Sequence, residues 1–151
     1  MTPVAVFVIL AAAIFHTEAA PVEKGGHGDA YPNCPLMVKV LDAVQGTPAF
    51  EVKVTVSRQE TAGSWTKVTS GVTGLAGEVM DLIKEEDFTA GIYKVAFDTK
   101  AYWKAKGITP FHEMADVVFT AHADGHRHYT VAILLSPFSY TATAVVANVH
   151  N

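Results

Sequence analysis

Lys39 is the first residue whose setting suggests chemistry. It is a lone cation inside Leu36 to Val44 (LMVKVLDAV), where apolar side chains alternate. Alternation puts Leu36, Val38 and Val40 on one face and Met37, Lys39 and Leu41 on the other. Such a lysine either lies on an exposed or edge strand with its head in water, or is a cation placed for an anionic ligand. His112, His122, His126 and His128 invite a metal reading, and His126 and His128 share one side of a strand start. No Cys or acidic residue falls at a recognised zinc spacing from them, so the sequence assigns them no metal. Ser, His and Asp are all present, but without a Gly-X-Ser-X-Gly elbow to mark a nucleophile. Gly71, Gly74 and Gly77 resemble a phosphate loop superficially, with no strand–loop–helix context behind them.

The second chemically distinctive stretch is Tyr129 to Val146 (YTVAILLSPFSYTATAVV), two strands joined at Ser136-Pro137-Phe138-Ser139. Tyr129, Val131, Ile133 and Leu135 point one way, and Thr130, Ala132 and Leu134 the other. In the second half, Tyr140, Ala142, Ala144 and Val146 share a face opposite Thr141, Thr143 and Val145. Neither half carries a formal charge, so burial of both faces is expected. A surface of small and hydroxyl side chains is a poor core. It suits a subunit interface, a ligand-cavity wall, or a loosely packed sandwich face.

These residues need strands to hold them. Phe50 to Arg58, Trp65 to Val72, a short segment near Glu78 to Met80, Gly91 to Phe97 and Ala115 to Ala121 complete the set. Gln45 to Pro48 and Asp124-Gly125 read as turns, and Lys84 to Asp87 as a solvated turn or helical tip. One helix is expected over 98–107, capped by Asp98, with Tyr102, Trp103 and Ala105 as its apolar surface and Gly107 then Pro110 ending it. The result is an all-β fold, an eight-stranded antiparallel β-sandwich with one short helix.

The chain has 151 residues and a formal charge of −4, enough for one domain and without the basic patch that nucleic acid requires. Residues 1–20 read as a signal peptide. Val4 to Phe15 is an apolar run too short to span a bilayer, and cleavage is expected after Ala19 or Ala20. Its n-region carries no Lys or Arg. Residues 21–33 form a flexible, Gly-rich tail, 34–147 the sandwich and 148–151 a short C-terminal tail. No further membrane-length run follows, so the mature protein is expected to be secreted and extracellular. Cys34 is the single cysteine, which excludes an internal disulfide and leaves core burial or oligomerisation to supply stability. None of Asn33, Asn148 and Asn151 opens a glycosylation sequon.

CPLMVKVLDAV from Cys34, GIYKVAFDTKAYWKAKGITPFHEMADVVFTA from Gly91 and HYTVAILLSPFSYTATAVV from His128 together resemble the transthyretin family. The resemblance covers Cys34 to Val146. It implies a secreted, non-enzymatic carrier of thyroid hormones (thyroxine and triiodothyronine). It also implies a homotetramer built as a dimer of dimers, with a central channel holding two hormone sites, and binding of retinol-binding protein. No cofactor, membrane or nucleic acid is implied. The family pattern carries the channel roles onto Met37, Lys39, Leu41, Glu78, Thr130, Ala132, Leu134, Thr143 and Val145, and Thr141 joins them. Ile133 stands where Ala is common in the family and Thr141 where Ser is common. Both departures are expected to trim the inner pocket.

A thyroid hormone is an iodinated diphenyl ether with a zwitterionic head and a phenol. Lys39 is expected to take the head's carboxylate and Glu78 its ammonium. Thr141 or Thr143 is expected to meet the phenol directly or through water. Hydroxyisourate hydrolase, the enzyme of the same superfamily, places two His and an Arg at positions that resemble Lys39, Thr130 and Glu78. It also ends in Tyr-Arg-Gly-Ser, where this chain ends Asn148-Val149-His150-Asn151. A lysine and a threonine are poor general bases at neutral pH, and a carboxylate has the wrong sign to steady a developing anion.

Overall fold

The computed structural model describes residues 34–123 and 127–148, and these form two packed β-sheets and one short helix. The strands are β1 (Leu36–Asp42), β2 (Thr47–Pro48), β3 (Lys53–Gln59), β4 (Trp65–Val72), β5 (Glu78–Val79), β6 (Gly91–Phe97), β7 (Ala115–Ala121), β8 (Arg127–Ser136) and β9 (Ser139–Asn148). One sheet runs β2-β1-β8-β9, with β5 also paired to β1; the other runs β4-β3-β6-β7. The sandwich expected from alternation is therefore present, with Thr47–Pro48 as a strand where a plain turn was expected. The pairings are antiparallel except one: β1 runs parallel to β8, Leu36 to Asp42 lying beside Tyr129 to Leu135 in unbroken register. A parallel pair needs a long crossover, and here residues 43–126, just over half of the chain, supply it.

Period-2 patterning decides which side chains meet between the sheets. Leu36, Val38 and Val40 of β1 and Val131, Ile133 and Leu135 of β8 face Val54 and Val56 of β3 and Tyr93, Val95 and Phe97 of β6, all essentially without solvent exposure. The residues between them point outward and are mixed, with Lys39, Thr130 and Ala132 beside Met37, Leu41 and Leu134, so a shift of one residue would turn the core side chains outward.

The helix α1 (Thr99–Ala105) begins as its sequence predicts. The Asp98 carboxylate accepts the Ala101 N–H at 3.1 Å, satisfying one of the orphan donors of a helix start. Gly107, at φ +74°, ends it. Tyr102 and Trp103 are buried as expected; Ala105 is exposed and Thr99 is buried instead. With 3.6 residues per turn, residues 99, 102 and 103 share the inward stripe, and 105 lies off it.

The strand expected at Phe50 begins later, at Lys53. Glu51 takes the left-handed conformation at φ 63°, which no strand accommodates. The expected segment to Val44 stops at Asp42, whose Oδ1 accepts the N–H groups of Val44 and Gln45 at 2.9 and 3.0 Å and so turns the chain. The expectation that both faces of the C-terminal hairpin are buried holds for the inner face of β8. In the single chain, Thr141 to Ala147 of β9 are exposed throughout, because β9 is the outermost strand of its sheet. The expected Asp124-Gly125 turn, the leader and tail (1–33) and the end from residue 149 lie outside the described residues.

Candidate functional site

The outer face of the β1-β8-β9 sheet is built in three rows, fixed by strand register. Met37 lies beside Thr130 and Thr130 beside Val145; Lys39 beside Ala132 and Ala132 beside Thr143; Leu41 beside Leu134 and Leu134 beside Thr141. Side chains at i and i+2 share a face, so all nine project from the same side. The β5 strand extends the middle row at its other end, pairing Glu78 with Lys39. Every residue that the sequence named as a ligand contact thus falls on one continuous surface. That surface spans four strands, roughly 14 Å at the usual strand separation.

Its polarity varies across the strands. At the β5 edge, Lys39 Nζ and Glu78 Oε1 are 2.6 Å apart, with 38 % and 22 % of their side chains exposed. The middle is mostly apolar, with Met37, Leu41, Ala132 and Leu134 beside the single hydroxyl of Thr130. At the β9 edge the hydroxyls of Thr141 and Thr143 alternate with Val145, all exposed. Leu134 and Val145 are 41 % and 62 % exposed, large values for apolar side chains in such a row. A partly exposed ion pair contributes little stability, about 0–1 kcal/mol, so a ligand bearing both charges displaces it at small cost. Within one chain the site is an open surface.

Ile133 is not part of this face. It is 1 % exposed and packs in the core beside Val131 and Leu135, so it does not trim the ligand surface as expected. Its neighbours Ala132 and Leu134 hold the outward positions, and alternation forces Ile133 inward. Thr141, the other departure from the family pattern, does lie on the face.

The histidines go separate ways. His112 packs edge-on against Phe111 and Tyr140, ring centroids 5.0 Å away in each case. His122 donates its backbone N–H to the Tyr129 hydroxyl at 3.1 Å. His128 lies opposite Ala147 on β8, and His126 is outside the described residues. Among the described residues no three His, Cys, Asp or Glu side chains converge on a metal-sized site. Cys34 is buried, its Sγ within 3.3 Å of the Leu36 carbonyl and accepting the Asp81 N–H at 3.4 Å.

Sequence reasoning missed Asp42, a carboxylate only 1 % exposed at the end of β1. Burial alone would raise its pKa. The Tyr102 hydroxyl, the Gln45 and Val44 N–H groups and the Lys106 ammonium outweigh burial and hold it below the usual carboxylate value. Burial and the same hydrogen bond push the Tyr102 phenol well above its usual range. The network ties helix α1 to the strand that carries Lys39. An acidic residue ending an apolar alternation was the available signal.

A family model described as HIUase/Transthyretin matches residues 36–143. A transthyretin of Aquarana catesbeiana is 54 % identical over 126 residues, covering 83 % of this chain and 82 % of that protein. Among solved structures, a transthyretin from Sparus aurata superposes with a TM-score of 0.74 at 61 % identity, covering 76 % of this chain and 99 % of that one. A sea bream transthyretin solved in complex with thyroxine matches with the same TM-score, 0.74, at 62 % identity, covering 78 % of this chain and all of that one (100 %). With the two-sheet sandwich, the parallel β1–β8 pair and the three-row outer face in place, these matches identify the chain as a member of the HIUase/transthyretin family.

Proposed function

We propose that the protein is a non-enzymatic carrier of thyroid hormones, thyroxine and triiodothyronine. It takes them at the outer face of β1, β8 and β9 where copies of the chain face one another in a homotetramer, a dimer of dimers. The observation that carries this reading is the three-row face: a paired cation and anion at one edge, mainly apolar side chains across the middle, and the hydroxyls of Thr141 and Thr143 at the far edge. That order matches the order of groups along the hormone. Lys39 receives the carboxylate and Glu78 the ammonium, each as a charge-assisted hydrogen bond. Met37, Leu41, Thr130, Ala132, Leu134 and Val145 enclose the iodinated rings. Thr141 and Thr143 meet the phenol directly or through water. The likeness to a transthyretin that was solved with thyroxine supports the assignment.

Secretion after removal of residues 1–20, a free tail over 21–33 and binding of retinol-binding protein complete the proposal. They rest on the leader-like sequence and on family membership. No helix among the described residues is long and apolar enough to cross a membrane.

Hydrolysis in the manner of the family's other branch is disfavoured by the same face. It offers Lys39, Glu78 and Thr130: the one carboxylate is paired with the Lys39 ammonium at 2.6 Å, and that pairing leaves no cation free to steady an oxyanion. Competition binding of several iodothyronines to the purified mature protein, with hydroxyisourate hydrolysis assayed on the same sample, tests both points. Saturable hormone binding with hydrolysis at the buffer rate is expected. Turnover that follows the tetramer peak through purification would overturn the carrier reading.

A further inference from the structure

We propose that Gly77 is a positioning residue for the ligand's cationic head group, seating Glu78 against Lys39; this rests on the hormone-carrier reading above. β5 is two residues long and is held to β1 by only two register pairs, Val38 with Val79 and Lys39 with Glu78. A strand so short has little ladder of its own, so the preceding loop must set its place. That loop is tied to β1 by the Val40 N–H, which donates to the Gly77 carbonyl at 2.7 Å, and closed on itself by Gly77 N–H to Gly74 O at 2.8 Å and Gly74 N–H to Glu78 O at 3.0 Å.

Gly77 fits this place for two separate reasons. Its φ is +71°, a conformation that L side chains rarely adopt. A Cβ there would overlap the Val40 carbonyl oxygen and lie 3.0 Å from Pro48 Cβ and 3.2 Å from Ala49 N. The Val40 oxygen cannot yield, because it accepts the Ala49 N–H at 2.9 Å inside the β1–β2 connection. Any side chain at 77 therefore lifts β5, and the first atoms displaced are those of Glu78. The sister sheet makes a second, softer seat. A Cβ on Gly71 would meet Val79 Cγ1 at 2.6 Å and Leu82 Cδ2 at 3.2 Å, so it would push the same strand through a side chain. Gly74 has no such contact: its nearest neighbour is the Glu78 carbonyl at an ordinary 3.8 Å.

The test compares thyroxine with an iodinated phenol that lacks the amino-acid head, on the assembled mature protein. Glu78→Gln sets the reference loss of discrimination. Gly77→Ala should cost thyroxine about tenfold in affinity, the scale of one charge-assisted hydrogen bond, and the phenol far less. In the Glu78→Gln background Gly77→Ala should cost nothing further in that ratio, because it acts through Glu78. Gly74→Ala should leave the ratio unchanged. Where Gly77→Ala does not fold, Gly71→Ala decides: it should reduce discrimination, and adding Val79→Ala, which removes the obstructing methyl, should restore it. Equal losses for both ligands, or an unchanged ratio in the folded variant, would overturn the assignment of Gly77. Absence of thyroxine binding in the unmodified protein would instead remove the hormone reading itself, and the inference with it.

Discussion

The Tyr102 hydroxyl donates to Asp42 Oδ2 at 2.7 Å, joining helix α1 to the end of β1 across the edge of the sandwich. Lys106 Nζ lies 3.6 Å from the same oxygen. Tyr102→Phe removes one donor from a buried carboxylate and should destabilise the fold by about 1–3 kcal/mol, read by chemical denaturation. Asp42 has a folded-state pKa below the ordinary carboxylate value of 3.8. Its contribution is therefore full above the unfolded value and drains away as pH falls through the folded one. Tyr102 is shifted upward, so its contribution holds below the ordinary phenol value of 10.0 and declines above it. Asp42→Asn should flatten the acid limb of the stability curve relative to the unmodified protein.

Lys39→Ala should weaken a ligand bearing a carboxylate by roughly 1–3 kcal/mol and a head-group-free phenol much less. Calorimetric titration of both ligands checks it. Equal losses would mean that Lys39 shapes the cavity without contacting the carboxylate.

In the proposed tetramer a partner copy covers the exposed face of β9 and the open three-row surface. Sedimentation of the mature protein near neutral pH should give a species of about four chains. A stable monomer at micromolar concentration would remove the enclosed site.

Ile133→Ala opens the core behind the sheet and should cost about 2–5 kcal/mol of stability. Because Ile133 faces away from Lys39 and Thr141, the order of preference among iodothyronines should survive in the folded variant. A reordered preference would place the residue against the ligand after all.

Alternation made much of this architecture legible. Trp65 to Val72, Gly91 to Phe97 and Ala115 to Ala121 were delimited residue for residue, and Asp98 announced its own cap. It also gave the facing of Lys39, Ala132 and Leu134 from parity alone. Parity equally places Ile133 in the core, although its residue type departs from the family pattern. The parallel pairing of β1 with β8 and the seat of β5 were not readable, because partner choice depends on contacts far apart in sequence. Gly77 looked like one of three loop glycines. Its φ of +71° and the carbonyl of Val40 beneath it tell it from Gly74.

The parallel pair sets an order of events when the chain is made. β1 leaves the ribosome well before its partner β8, with residues 43–126 made between them. At a synthesis rate of about 5–20 residues per second, Lys39 waits on the order of ten seconds before Ala132 exists to sit beside it. Hairpins such as β3–β4 and β6–β7 have their partners close by in sequence and can close in the meantime. The proposed ligand surface thus cannot be completed until β8 and β9 are made, by which time every strand of the opposite sheet has been synthesised.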